Sequence, residues 1–141
     1  MNGDIERGMA CTEEPEEIGL LVFDVMGVMM GVDTAQVAGM LKPEEAERKG
    51  VVAACLHERL HFREEPVRYS DPHVLVIKSE GEQRGIIIDH PREIISAKID
   101  SIRPMPFLLA SAGGSRAAWG AVLWEGQCIV LIDFYKLQEG P

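Results

Sequence analysis

The stretch His73–Pro106 reads HVLVIKSEGEQRGIIIDHPREIISAKIDSIRPMP. Two apolar, β-branched runs, Val74–Ile77 and Ile86–Ile88, flank the polar, glycine-bearing Ser79–Gly85. This pattern predicts a hairpin with a loop longer than a two-residue turn. Asp89 ends the second strand. A third β-rich run, Ile94 to Ile102, extends the meander. It is expected to stop at Arg-Pro-Met-Pro, because Pro104 and Pro106 have no N–H for a sheet ladder.

The flanking segments read as partners for this meander. Ile18–Val25 (IGLLVFDV) is a strand whose unbroken apolar centre suits burial on both faces. A hairpin turn fits at Met26-Gly27, followed by a second strand into Val32. Asp33–Val37 reads as a short turn capped by Asp33 or Thr34. Leu41–Gly50 is polar and holds one or two helical turns, with Pro43 suited to a first helical position. Val51–Leu56 suits a strand and His57–Phe62 a helical turn. Arg63–Pro72 is a loop. The Gly113-Gly114-Ser115 cluster marks another loop. Two further apolar runs, Ala117–Trp124 and Cys128–Phe134, are joined at Gly126. Tyr135–Pro141 reads as a tail. Seven or eight short strands spaced about ten residues apart predict an all-β sandwich or barrel with little helix.

Composition narrows the function. At 141 residues the chain makes one compact domain or two very small ones. Its net charge of -9, with no Lys/Arg cluster, argues against nucleic-acid binding. Residues 1–17 carry six acids against Arg7 and are expected to form an acidic, disordered leader. No apolar run is long enough to span a bilayer, so direct membrane insertion is not expected. The start MNGDIERGMA lacks the basic-then-apolar order of a signal peptide. Cys11, Cys55 and Cys128 form no CxxC pair, which fits reduced thiols in a cytoplasmic protein.

The sharpest chemical motif is His57-Glu58-Arg59-Leu60-His61. It matches HExxH, in which two His one helical turn apart bind zinc and the Glu acts as general base. The alternative to a non-enzymatic reading is therefore a small zinc-dependent hydrolase. Against it stand a β-branched lead-in, a short chain, and third-ligand candidates confined to the following loop (Glu64, Glu65, Asp71, His73). Ser111 and Ser115 lack a nucleophile elbow. Asp89 and Asp133 each close an apolar run and suit turn-capping better than acid–base work. Trp119 and Trp124 have odd spacing and should face opposite sides of one strand, one in the core and one available as a binding anchor.

Together these segments resemble the CheW-like domain of bacterial chemotaxis coupling proteins and of the CheA kinase regulatory domain. LLVFDV, Gly31-Val32-Asp33 and Val37 resemble the family's opening hairpin and its Val-x-Glu-Ile segment. GVVAACLHERLHF resembles its Pro-Val-x-Asp-Leu-Arg-x-x-Leu-Gly segment. Gly85–Asp89, Glu93-Ile94-Ile95 and Ile102–Pro106 match most closely. Trp119-Gly120-Ala121 and Ile129–Asp133 resemble its last two strands. The resemblance implies two small packed SH3-like or OB-like β-barrels over residues 18–138, with 139–141 a tail. It implies no catalysis, no cofactor and no metal. It also implies a cytoplasmic adaptor bridging a chemoreceptor tip and a CheA-like histidine kinase regulatory domain, with Val37, Gly85, Ile87, Asp89, Ile94 and Gly120 near the partner-binding surface. One family feature is missing. Relatives carry a Gly-x-x-Asn-Leu-Arg-Gly strand before the Pro-Val-x-Asp segment, and Met40–Lys49 is too polar and too short to supply it.

Overall fold

The structure, a computed structural model, describes residues 16–60, 66–104 and 116–138. Among the described residues ten strands form two sheets. The first sheet contains β1 (Glu17–Val25), β2 (Val28–Asp33), β7 (Pro91–Lys98), β8 (Arg103–Pro104), β9 (Ala118–Trp124) and β10 (Gln127–Ile132), in the order β7-β1-β2-β10-β9-β8. The second contains β3 (Val37–Leu41), β4 (Val52–Cys55), β5 (Pro72–Ile77) and β6 (Arg84–Asp89), in the order β3-β5-β6-β4. Three short helices complete it: α1 (Pro43–Arg48), α2 (Leu56–Arg59) and α3 (Phe134–Gln138). The four-stranded sheet is thus an insertion between β2 and β7. The expected β-rich architecture holds, as two SH3-like sheets. Among the described residues neither sheet closes its edges by hydrogen bonds.

Side-chain alternation explains how the sheets join. Along β1, Leu20 and Val22 enter one core, shared with Ile95, Ala97, Val122, Ile129 and Leu131. Phe23 and Val25 enter the other, between the sheets, with Leu75, Ile77, Ile86, Ile88 and Phe134. Successive residues of a strand point to opposite faces, so an unbroken apolar run is what a strand between two cores requires. β10 repeats the arrangement: Ile129 and Leu131 face the first core, and Ile132 the second.

Two tight hairpins set the register of the six-stranded sheet. Met26 and Gly27 turn at φ 53° and 85°, and Glu125 and Gly126 at 50° and 78°. These left-handed pairs match the twist of the strands they join. A long connection joins β5 and β6 as the sequence predicts, over residues 78–83, so the expected Ser79–Gly85 loop gives its last two residues to β6, and Leu75 lies opposite Ile86.

The structure corrects three expectations. The third run of the meander leaves the sheet of β5 and β6. At His90 the backbone turns left-handed (φ 45°), and β7 pairs with β1 instead. That run then breaks into β7, a 3-10 turn at Ile99–Ser101, and β8. Pro104 does not stop the chain short of a strand. It sits in β8, an edge position where its missing N–H faces no ladder. Finally, part of the expected tail is helix α3. Asp133 Oδ1 accepts the N–H groups of Tyr135 and Lys136 at 2.9 and 3.3 Å, and Phe134 and Leu137 are buried one turn apart. The leader's last residue, Glu17, opens β1, while 1–15 and 139–141 lie outside the described residues.

Candidate docking surface

The six residues singled out from the sequence fall on both sheets. Val37 and Ile87 are half-buried, on β3 and β6. Gly85 and Gly120 are buried within their sheets. A Cβ on Gly85 would stand 2.6 Å from Val74 Cγ1, and one on Gly120 would stand 3.0 Å from the Arg103 carbonyl. The close approach that glycine permits is therefore made by this chain's own strands. Asp89 is 1% exposed. Its carboxylate accepts the N–H of Asp71 at 2.6 Å and that of Ser70 at 3.0 and 3.1 Å, clipping the segment before β5 onto the end of β6. Ile94 alone of the six is exposed, at 66%. It lies opposite Leu21 on β1, on the face away from Ile95 and Ala97.

The other flank of the same sheet carries an apolar strip. Ala121 and Leu123 alternate along β9 on the face away from Val122 and Trp124, and Trp119 stands where the register against β10 shifts, between Ala118 and Gly120. Leu123 is 75% exposed and Trp119 41%. Cys128 on β10 lies opposite Leu123 and is exposed. Odd spacing predicts opposite faces for the two tryptophans; the register shift between them breaks the simple alternation, and the structure packs Trp124 on the first core and leaves Trp119 exposed. Leu123 escaped notice because AWGAVLW is apolar throughout. Only the knowledge that Val122 faces a core shows which alternate residues are left outside.

A polar cleft of about 760 Å³ opens at the His90 corner, between Met29, Arg92 and Trp124. Beside it, Arg92 Nε donates to Asp24 Oδ2 at 2.6 Å, pairing a carboxylate that β1 buries. The sequence held no sign of this pair, whose members stand 68 residues apart.

The HExxH reading loses its helix. α2 spans Leu56–Arg59, and Leu60 is already extended (φ -133°, ψ 106°), so among the described residues the helix that carries His57 ends at Arg59. His61 itself lies outside the described residues, as do Glu64, Glu65, Ser111 and Ser115. Glu58 is occupied as a cap, its Oε1 accepting the Cys55 N–H at 3.1 Å. His57 Nδ1 lies 3.0 Å from the Tyr69 hydroxyl, which also accepts the His57 backbone N–H at 3.3 Å. Among the described residues no three His, Cys, Asp or Glu gather as a metal site. Burial, with the Glu58 charge adding to it, pushes the Cys55 thiol above its ordinary value, which keeps it protonated and a poor nucleophile. Asp89 and Asp133 work separately, as a loop clip and a helix cap. No described helix is long and apolar enough to cross a membrane.

Comparison with known proteins agrees with the geometry. A family model described as the CheW-like domain matches residues 19–140. Among solved structures, the crystal structure of scaffolding protein TtCheW from Thermoanaerobacter tengcongensis superposes with a TM-score of 0.63. It is 20% identical in sequence, and the match covers 84% of this chain and 86% of that one. Comparison with curated proteins gives no match.

Proposed function

This chain belongs to the CheW-like domain family, and we propose that it is a non-enzymatic adaptor of a chemotaxis-type signalling assembly. In this reading it works in the cytoplasm and joins a chemoreceptor tip to a CheA-like histidine kinase regulatory domain by surface contact. The observation that carries the reading is the pair of apolar flanks on the six-stranded sheet. Ile94 on one side and Trp119 with Leu123 on the other stay exposed while the same face between them is covered by the second sheet. Large apolar side chains presented on rigid strands are the usual anchors of a protein interface. Val37 and Ile87 extend the contact onto the four-stranded sheet. Gly85, Asp89 and Gly120 act from beneath, holding the backbone that presents it.

Light scattering on the chain mixed with a CheA-type kinase regulatory domain tests this. We expect a heteromeric mass, and at least tenfold weaker association for Ile94→Glu or Leu123→Asp. A mixture that shows only the two separate masses at every concentration would overturn the adaptor reading.

A further inference from the structure

Among the described residues the four-stranded sheet ends at an open edge, β4, which pairs with β6 alone, in parallel, with Val52 opposite Arg84 and Ala54 opposite Ile86. The Val52 N–H donates to the Gln83 carbonyl at 3.0 Å. The alternation of the ladder therefore turns the N–H and C=O of Ala53 outward. Edge strands are usually blunted by Pro, Lys, a bulge or an inward charge. Val52–Cys55 has none of these, being VAAC with no register shift against β6.

Beside this edge lies a groove of about 110 Å³. Its apolar floor is Val52, Ala54, Ile77 and Ile86, and Gln138 at the end of α3 is part of its lining. Val52 is 52% exposed there. Two arginines, Arg59 and Arg84, line the same groove. Arg84 reaches Glu82 at 3.3 Å in an exposed pair, which solvent weakens. Arg59 is half-buried and has no hydrogen-bond or ion-pair partner among the described residues. The guanidinium of a half-buried arginine, without a partner among the described residues and beside apolar side chains, favours an incoming carboxylate.

We propose that β4 is a docking edge for an extended segment of a partner protein that carries an apolar residue and an acidic residue two positions apart, on the same face of the added strand. The segment adds as a fifth strand and pairs with the outward backbone of Ala53. Its alternate side chains fall over the groove, where an aliphatic group covers Val52 and a carboxylate meets Arg59. Strand addition of this kind takes its affinity from main-chain hydrogen bonds and its specificity from alternate side chains. The site lies on the sheet opposite to the Trp119–Leu123 strip, so it stands whether or not that strip binds.

Fluorescence anisotropy of labelled, end-blocked octapeptides tests the proposal. One peptide repeats Thr-Val-Thr-Glu, so that Val and Glu share a face; in a second Lys replaces Glu, and in a third Thr does. We expect saturable binding of the Glu peptide, at least tenfold tighter than the Lys peptide. Arg59→Glu should reverse that preference, and Ala53→Pro should weaken all binding at least tenfold. Leu123→Asp should leave it unchanged, which separates this site from the strip. The proposal fails if the Glu peptide shows no saturable binding, or if Arg59→Glu leaves the preference intact. It also fails if the edge is instead filled by a second copy, seen as a dimer that dissociates in Arg59→Glu while no peptide binds.

Discussion

The two sheets share one core but differ in how firmly their strands are specified. In the six-stranded sheet, β1 and β10 bury side chains on both faces. A one-residue slip would exchange the contents of two packed cores, so register is fixed twice over. In the four-stranded sheet, β5 and β6 send Leu75, Ile77, Ile86 and Ile88 to the shared core. The other face of β5 is covered more lightly: Val74 and Val76 are buried there, α1 packs against the strand, and Ile87 on β6 stays half-buried. Its edge strand β4 spans four residues, with Val52 and Ala53 exposed. Between β3 and β4 the described residues hold α1 and no strand. A strand missing at such an edge leaves backbone exposed on one side, whereas a strand missing from between two clusters, as β1 lies, would open both.

The comparison is broken most severely at the residue the sheets share. Phe23 is fully buried and meets Phe134 edge-on, with ring centroids 6.4 Å apart. Phe23→Ala should lower unfolding free energy by about 3–5 kcal/mol. Both tryptophans lie on β9, so their fluorescence reports the six-stranded sheet, while far-UV circular dichroism reports both. In urea the two signals should still coincide. If they separate, the shared core does not bind the sheets into one cooperative unit.

Asp89→Asn comes next. The substitution keeps one acceptor oxygen and turns an amide donor toward the N–H groups of Ser70 and Asp71. A loss of about 1–3 kcal/mol is expected. Its signature is local: faster hydrogen exchange at Ser70 and Asp71, with the β1–β2 amides unaffected. Exchange that quickens equally in both sheets would deny that this carboxylate is a clip of the four-stranded sheet alone. Gly85→Ala sharpens the same contrast at smaller cost. Its Cβ would collide with Val74, a buried β-branched side chain with little room to turn, and would also stand 3.2 Å from the Leu75 carbonyl and from Val51. About 1–2 kcal/mol should be lost, with exchange raised along β5 and tryptophan emission unchanged.

What the sequence revealed follows the same division. Strands between two cores are legible because continuous apolar runs have few other uses, and IGLLVFDV and QCIVLI need no tertiary knowledge. Two-residue turns are legible through Gly27 and Gly126. The crossing of β7 into the other sheet was hidden. Asp89-His90-Pro91 reads as an ordinary turn, and nothing local says that His90 bends left-handed to send Ile94 opposite Leu21. The candidate docking residues were least legible. Gly85, Asp89 and Gly120 stand out in the sequence because the fold needs them, and the structure buries all three. Leu123, Trp119 and the unpaired Arg59 become visible only once the neighbouring cores are assigned.

The smallest predicted effect tests the four-stranded side through pH. Tyr69 packs against the shared core, and its hydroxyl sits against His57. Burial pushes its ionisation up to about 12 from an ordinary 10.0, and the His57 N–H bond to the phenolic oxygen offsets only part of that rise. The neutral phenol is the form the fold prefers, so its contribution is fully present below pH 10. Between pH 10 and about 12 the unfolded chain releases this proton first, and stability falls as pH rises. The ring is only partly buried and solvent screens the effect, so the loss should be about 1 kcal/mol or less. Phenolate absorbance should show one tyrosine ionising late, and Tyr69→Phe should remove that step and flatten the stability profile across the same interval. A late step that survives in Tyr69→Phe would move the strained phenol elsewhere and leave the four-stranded sheet no less tolerant of alkali than its neighbour.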